Sequence, residues 1–394
     1  MKKISTTLFP TALLASLLGL TACSEKSNQA KSELPELPGE NREAEKVLNL
    51  YSWSEYFDLD VLEAFREETG IRVNYVTFGS TDEMEAKLKS EPGKWDVIVA
   101  DDSILDQMWE LKLIRELDHS LLPNLKNIDE SYRVVPFDPG NKLAAPYMWG
   151  TTLVAYRKDK ISDPGDSWAL LWDERYKGKI MMIGERFEVL SIPLILLGHE
   201  LNSSDPEHLS VATDMLLKQI DELDVRIGTD AEVREGLDDG SVWAAMCYSG
   251  DAAMVADDNE NVGFFIPTEG APLWVDSFSI VRDTNMPKEA HQFVNFMLEA
   301  KNAAANTNFT CYASPNKAAR QFIDKELLEN PSINPPSEVL SNCDFFTKLS
   351  AEREQRLNSA WLKVQTRLRE KRLMEADEIA TSGVDPELDG SDED

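Results

Sequence analysis

Between Val47 and Ala100 the chain alternates strand and helix patterns, and this alternation limits the possible folds more than any other feature of the sequence. Val47-Leu48-Asn49-Leu50-Tyr51-Ser52-Trp53 reads as a buried strand. Asp60 to Thr69 carries Val61, Leu62 and Phe65 in helical spacing, with Gly70 where a helix C-cap belongs. Ile71 to Phe78 alternates as a strand does, Ser80-Thr81-Asp82-Glu83 offers a capping box for a helix to about Ser90, and Asp96 to Ala100 is the next strand. Strands joined this closely through helices need right-handed crossovers, so they form a largely parallel sheet with helices on both faces. Ligands of such sheets gather beyond the carboxyl ends of the strands, which nominates Ser52 to Tyr56 and Asp101 to Ser103.

A second α/β stretch runs from about Thr152 to Trp274. Strands are expected at Lys179 to Ile183 and Trp243 to Tyr248, and helices near Glu188 to Leu197 and Leu209 to Ile220. No internal repeat is present. With 42% hydrophobic residues in 394, the chain can fill two lobes, each with its own core. A polar cleft between two such lobes is the geometry of a binder that closes about a hinge. The net charge of −31 excludes nucleic acid as a partner, because a phosphate backbone would be repelled, and leans towards cationic ligands.

The ends carry different information. Lys2 and Lys3 precede an apolar run from Leu8 to Leu20, the order of a secretion signal, and the run is shorter than the ~20 apolar residues of a spanning helix. Leu20-Thr21-Ala22-Cys23 resembles a bacterial lipobox, which implies that residues 1–23 are a lipoprotein signal, that Cys23 takes the lipid, and that the chain is held to a membrane from the periplasm or cell surface. Residues 24–46 lack aromatic side chains and read as a flexible tether. Residues 374–394, acidic and without Lys or Arg, read as a disordered tail. Cys247, Cys311 and Cys343 allow at most one disulfide and do not require one, and the four histidines show no metal-ligand spacing.

Aromatic and acidic residues recur side by side just past the expected strands: Trp53-Ser54-Glu55-Tyr56, Glu185-Arg186-Phe187-Glu188, Tyr248-Ser249-Gly250-Asp251 and Trp274-Val275-Asp276. An organic polycation entering a cleft needs carboxylates for its desolvated ammonium groups and aromatic faces for its methylenes. Each of these segments alone is an ordinary solvated surface pattern.

Taken in order, together with Trp95-Asp96-Val97-Ile98-Val99, Pro146-Tyr147-Met148-Trp149-Gly150, Tyr176-Lys177-Gly178 and Ser314-Pro315-Asn316, they resemble the bacterial polyamine-binding proteins of ABC transporters, the spermidine/putrescine and putrescine receptors. The resemblance runs from about Leu48 to Arg367. It implies an α/β, two-lobe, type II periplasmic-binding-protein-like fold, each lobe a mixed, largely parallel sheet flanked by helices, with a two-strand hinge. The expected first lobe is 47–151 with 275–322, and the second 152–274 with 323–373. It further implies that Trp53 and Tyr56 pack on the ligand chain beside Ser54 and Glu55. Glu185 and Glu188 take an amine, Tyr248 and Tyr312 are aromatic walls, and Trp274 and Asp276 clamp a nitrogen near the hinge. Asp251 matches the acid of the putrescine receptor, whereas Asp101 stands where the family usually has a serine or threonine. The implied protein is a monomer without cofactor or metal and not an enzyme. It would bind putrescine or spermidine and deliver it to a permease, or signal with it to a membrane sensor. A glycosidase would also pair carboxylates across a cleft, but no nucleophile elbow, zinc helix or phosphate loop accompanies them here.

Overall fold

A computed structural model describes residues 46–382, apart from 134, 136, 348 and 349. The expected signal with Cys23, nearly all of the tether and the chain from Gly383 onward lie outside the described residues.

Among the described residues there are ten strands: β1 Lys46–Ser52, β2 Ile71–Thr77, β3 Val97–Ala100, β4 Ala144–Arg157, β5 Ile180–Ile183, β6 Arg226–Gly228, β7 Ala244–Tyr248, β8 Val262–Phe265, β9 Pro272–Ile280 and β10 Asp344–Phe345. Their order is β2-β1-β3-β9-β4-β7-β5-β6, with β8 on β4 and β10 on β9. At one side β1 runs parallel to β2 and β3, and at the other β5 runs parallel to β6 and β7. The two parallel groups are joined by antiparallel β9 and β4.

The sequence predicts the parallel parts because each short apolar strand is punctuated by a capped helix. Asp58 accepts the Asp60 N–H at the start of helix Leu59–Thr69, which Gly70 ends in the left-handed conformation. Ser80 accepts the Glu83 N–H at 3.2 Å, but Glu83 returns its carboxylate to the Gly79 N–H at 3.0 Å, one residue earlier than a standard box. The joining strands do not follow an alternating pattern, since β4 and β9 are buried along nearly their whole lengths.

Strand β4 changes partners partway. Ala144 to Thr151 pair with β9, whereas Thr152 to Tyr156 pair with β7 and Val154 to Arg157 also with β8. Strand β9 pairs Ser277 to Ile280 with β3 and Pro272 and Leu273 with β10. The crossing is pinned by Asp102, which follows β3 and whose Oδ1 accepts the Val275 N–H at 3.0 Å.

Two features depart from the sequence expectations. Ile323, Leu327 and Leu328 pack against Ala303, Ala304 and Ala319, helical neighbours of the first lobe, so the chain stays there beyond residue 322. The chain is back on the second lobe by β10, which pairs with Pro272 and Leu273 and whose Phe345 carbonyl accepts from Asn202, and it continues there as the C-terminal helix Ala351–Ser382, anchored by Arg353 on Leu201 O and by Arg367 on Asp221. That helix also passes Met374, the expected start of the tail. Good helix formers continue there, and no Gly or Pro intervenes before Gly383. The three cysteines are free thiols.

Candidate functional site: an acidic, aromatic cleft

The parallel strands of both groups deliver their following residues to one place. Trp53, Ser54, Glu55 and Tyr56 follow β1, Asp101 follows β3, and Glu185 and Glu188 follow β5 at the start of helix Arg186–Leu196. Tyr248 ends β7, and Asp251 lies in the first turn of helix Ser249–Asp258. Trp274 and Asp276 come from β9 itself, and Tyr312 follows helix Ala300–Thr310. All twelve line a single cavity of about 550 Å³ between the two halves of the sheet. None of the four histidines lines it.

The aromatic side chains form a continuous wall. Trp274 meets Tyr248 and Tyr312 edge-on at ring separations of 5.6 and 5.1 Å, and Tyr312 meets Tyr56 at 5.7 Å. Two glycines make this packing possible. A β-carbon on Gly150 would stand 2.5 Å from the Trp274 ring, and one on Gly250 would stand 2.4 Å from the Tyr312 ring.

The carboxyl groups are short of partners. Asp276, 6% exposed, accepts a hydrogen bond from the Tyr56 hydroxyl, and the Trp53 side chain also favours its charged form. Glu188, also 6% exposed, accepts from the Thr152 hydroxyl at 2.8 Å. Asp101 accepts from the Ser103 N–H at 2.8 Å and from Thr81 at 3.3 Å. Asp251 Oδ2 is buried with no close hydrogen-bond partner among the described residues, while Arg234 and Tyr312 nearby favour its charged form. Kept from water, these groups hold their protons more tightly than exposed acids do. Burial pushes Glu185 and Glu188 up to about 8, and Asp251 and Asp276 up to about 7. For Glu185 the nearby negative charges of Asp101 and Asp82 add to burial, and for Glu188 the Thr152 bond opposes it. Burial also raises Asp101, against its hydrogen bonds from Ser103, and holds Asp102 well above the usual range, with Asp101 adding to the effect. A cation entering this space would relieve a penalty that the protein does not compensate by itself.

One nominated residue lies elsewhere and one cavity residue escapes the sequence reasoning. Asp102 turns away from the cavity to the strand crossing. Arg234, on helix Asp230–Asp239, reaches into the cavity, with Nη2 2.5 Å from Glu55 and Nη1 3.5 Å from Asp251. Glu55 therefore meets a side chain of the opposite half, and it does so from left-handed backbone, φ 52°, a conformation that costs a non-glycine residue about 1 kcal/mol. The signal for Arg234 lies in Thr229-x-x-Glu232, a full capping box that starts its helix just past β6, at another strand end. At the cleft mouth Arg186 faces Asp82 at 3.9 Å, a second pair across the halves.

Residues 60–335 match the family model described as bacterial extracellular solute-binding protein. The chain belongs to that family. Its members are receptors, so this solute-binding protein is not an enzyme. It is 33% identical over 343 residues to the putrescine-binding periplasmic protein PotF of Escherichia coli, covering 82% of this chain and 92% of that one. It is 30% identical over 308 residues to the spermidine/putrescine-binding periplasmic protein of the same organism, covering 77% and 88%. Among solved structures, a chain from Listeria monocytogenes superposes with a TM-score of 0.77 at 33% identity, over 81% of this chain and 99% of that one. The spermidine/putrescine ABC transporter substrate-binding protein PotD of Streptococcus pneumoniae gives 0.71 at 30% identity, over 82% and 99%. The two-lobed periplasmic-binding-protein fold expected from the sequence is the fold of this chain.

Proposed function

We propose that this solute-binding protein is an extracytoplasmic receptor for a polyamine of the putrescine or spermidine class, which it passes to an ABC transporter permease. The observation that carries the reading is the pair of buried carboxyl groups Glu188 and Asp276, with the half-buried Glu185 beside them, on an aromatic wall of Trp274, Tyr248 and Tyr312. Ammonium groups supply the missing counter-charge, and the rings take the methylenes. Relatives named for putrescine and spermidine binding support the same ligand class. Closure would turn the halves about β4 and β9, where the chain crosses between the lobes twice side by side, and bring the β9 carboxylate onto a ligand already seated in one lobe. Attachment to the membrane through lipid on Cys23 rests on the Leu20-Thr21-Ala22-Cys23 sequence.

Calorimetric titration tests the reading. The protein is partly unfolded to strip carried-over ligand, refolded, and titrated with putrescine, spermidine, norspermidine and cadaverine. Saturable one-to-one binding of any of them is the expected result. Silence from all four, in protein that melts cooperatively, would mean that the cleft takes another solute.

A further inference from the structure

Strands β3 and β9 run antiparallel with Ala100 opposite Ser277, and they stay adjacent beyond that pair, because Asp102 accepts the Val275 N–H at 3.0 Å. The residues between these two links, Asp101 and Asp276, therefore stand opposite one another. Residues so placed project from the same face of a sheet with β-carbons about 5 Å apart, and like charges there repel. Both side chains line the cleft. Tyr56 donates to Asp276, and Ser103 and Thr81 donate to Asp101, but neither carboxyl group has an ion pair with a basic side chain among the described residues.

The facing pair lies between the other acids of the cleft. On one side the rings of Tyr56 and Tyr312 lead from Asp276 to Asp251, which keeps Oδ2 free of a close partner although Arg234 lies 3.5 Å from Oδ1. On the other side the charge of Asp101 is felt by Glu185 and Glu188 as well as by Asp276, with Arg186 acting on Glu185 in the opposite sense.

We propose that Asp101 and Asp276 together seat the internal nitrogen of a triamine, whose ends reach Asp251 and the Glu185–Glu188 pair, so that Asp101 makes the cleft prefer a spermidine-class ligand to a diamine. The inference rests on the polyamine reading above. A secondary ammonium has two N–H donors, one for each facing carboxylate, and its charge removes their mutual repulsion. A short diamine that joins this seat to one flank leaves the acid of the other flank without a cation. A long diamine that spans both flanks puts a methylene in the seat and leaves the facing pair unanswered. The serine or threonine that the resemblance implies at position 101 in the relatives could offer a hydrogen bond there but no charge, so the preference belongs to the aspartate of this chain.

Calorimetry on the full chain compares putrescine, spermidine and 1,8-diaminooctane, which has the length of spermidine but a methylene where the internal nitrogen stands. Wild type is expected to bind spermidine about tenfold or more tighter than either diamine. Asp101→Asn, whose amide oxygen can still accept the Ser103 N–H, should lower the spermidine-to-diaminooctane affinity ratio by about tenfold. If Asp101→Asn does not melt cooperatively, Asp101→Ser repeats the comparison. A wild type that prefers a diamine, or a ratio in the uncharged variant within about threefold of wild type, overturns the role of Asp101 while leaving the polyamine reading standing. Failure of wild type to bind any of the three amines removes both.

Discussion

The Tyr56 hydroxyl, from the turn after β1, donates to the carboxylate of Asp276 on β9. Tyr147 in turn donates to the Tyr56 backbone carbonyl at 2.7 Å, at the place where β4 bulges between Pro146 and Met148. The hinge acid is thus oriented through two tyrosines by the first lobe and by a joining strand, before any ligand arrives. Its charge is the part left unanswered, since a phenol hydrogen bond cannot replace a counter-ion in a buried site.

Asp276→Asn keeps an oxygen for Tyr56 and removes the charge. Putrescine affinity should fall about 100-fold or more, the scale of about 3 kcal/mol for losing one partner of a buried ion pair. The unliganded protein should melt at the same temperature or higher above pH 7, where Asp276 would otherwise be ionised at a cost. Glu188→Gln, which keeps the Thr152 bond, should behave alike. Calorimetry and melts with and without ligand check both, and a variant that lost folding but kept affinity would mark its residue as structural.

The raised carboxyls fix the sign of the pH dependence. Glu185, Glu188, Asp251 and Asp276 hold protons to about 7 or 8 when folded, but release them near 4 when unfolded. Between those limits the folded state binds more protons, so these groups contribute most to stability below about pH 4 and lose that contribution as pH rises to about 8. The unliganded protein should therefore lose stability from these groups across this window. Amines stay charged to about pH 10, so polyamine affinity should rise over the same interval. Melts and titrations at pH 5.5, 7 and 8.5, at constant ionic strength, read both slopes. An affinity that falls with pH would contradict the assignment of these acids to the ligand.

Gly250→Ala would place a methyl group inside the Tyr312 ring position. Tyr312 must move, at about 1 to 3 kcal/mol in stability for overpacking, and the aromatic wall beside Trp274 shifts with it. A lowered melting temperature together with weaker polyamine binding is expected, and a melt and a titration of the one variant read both.

Asp102→Ala removes the acceptor for the Val275 N–H at the crossing of β3 and β9. A buried donor left unsatisfied costs about 1 to 3 kcal/mol, which a denaturant melt would show as a lower midpoint.

Much of the fold and the cleft is legible in the sequence because the signals are local. Gly70 and Ser80 mark the ends of helices flanking β2, and the ends of β1, β5 and β7 carry an aromatic residue beside an acid; all twelve predicted residues line one cavity. What stays hidden is non-local. β4 and β9 are buried nearly end to end, which erases the alternation that identifies strands, and their pairing joins residues more than a hundred positions apart. Arg234 sits on a helix whose capping box is plain in the sequence, but its contact with Glu55 depends on how the two lobes meet. The boundary at residue 322 fails because Leu327 and Leu328 continue the packing of the preceding helix, and nothing in the chain marks an end there.

The insertion of β9 between β3 and β4 also sets an order of assembly. Strands β1, β2 and β3 are made early, but their sheet acquires its next neighbour only when the chain has been synthesised past Ile280. Until then β3 has an open edge and β4 lacks the partner of its first half. Early segments of the chain thus cannot complete a native half by themselves, and the high sequence separation of the closing contacts slows folding. Late closure thus leaves the β3 edge unpaired for as long as the chain takes to reach its last required strand.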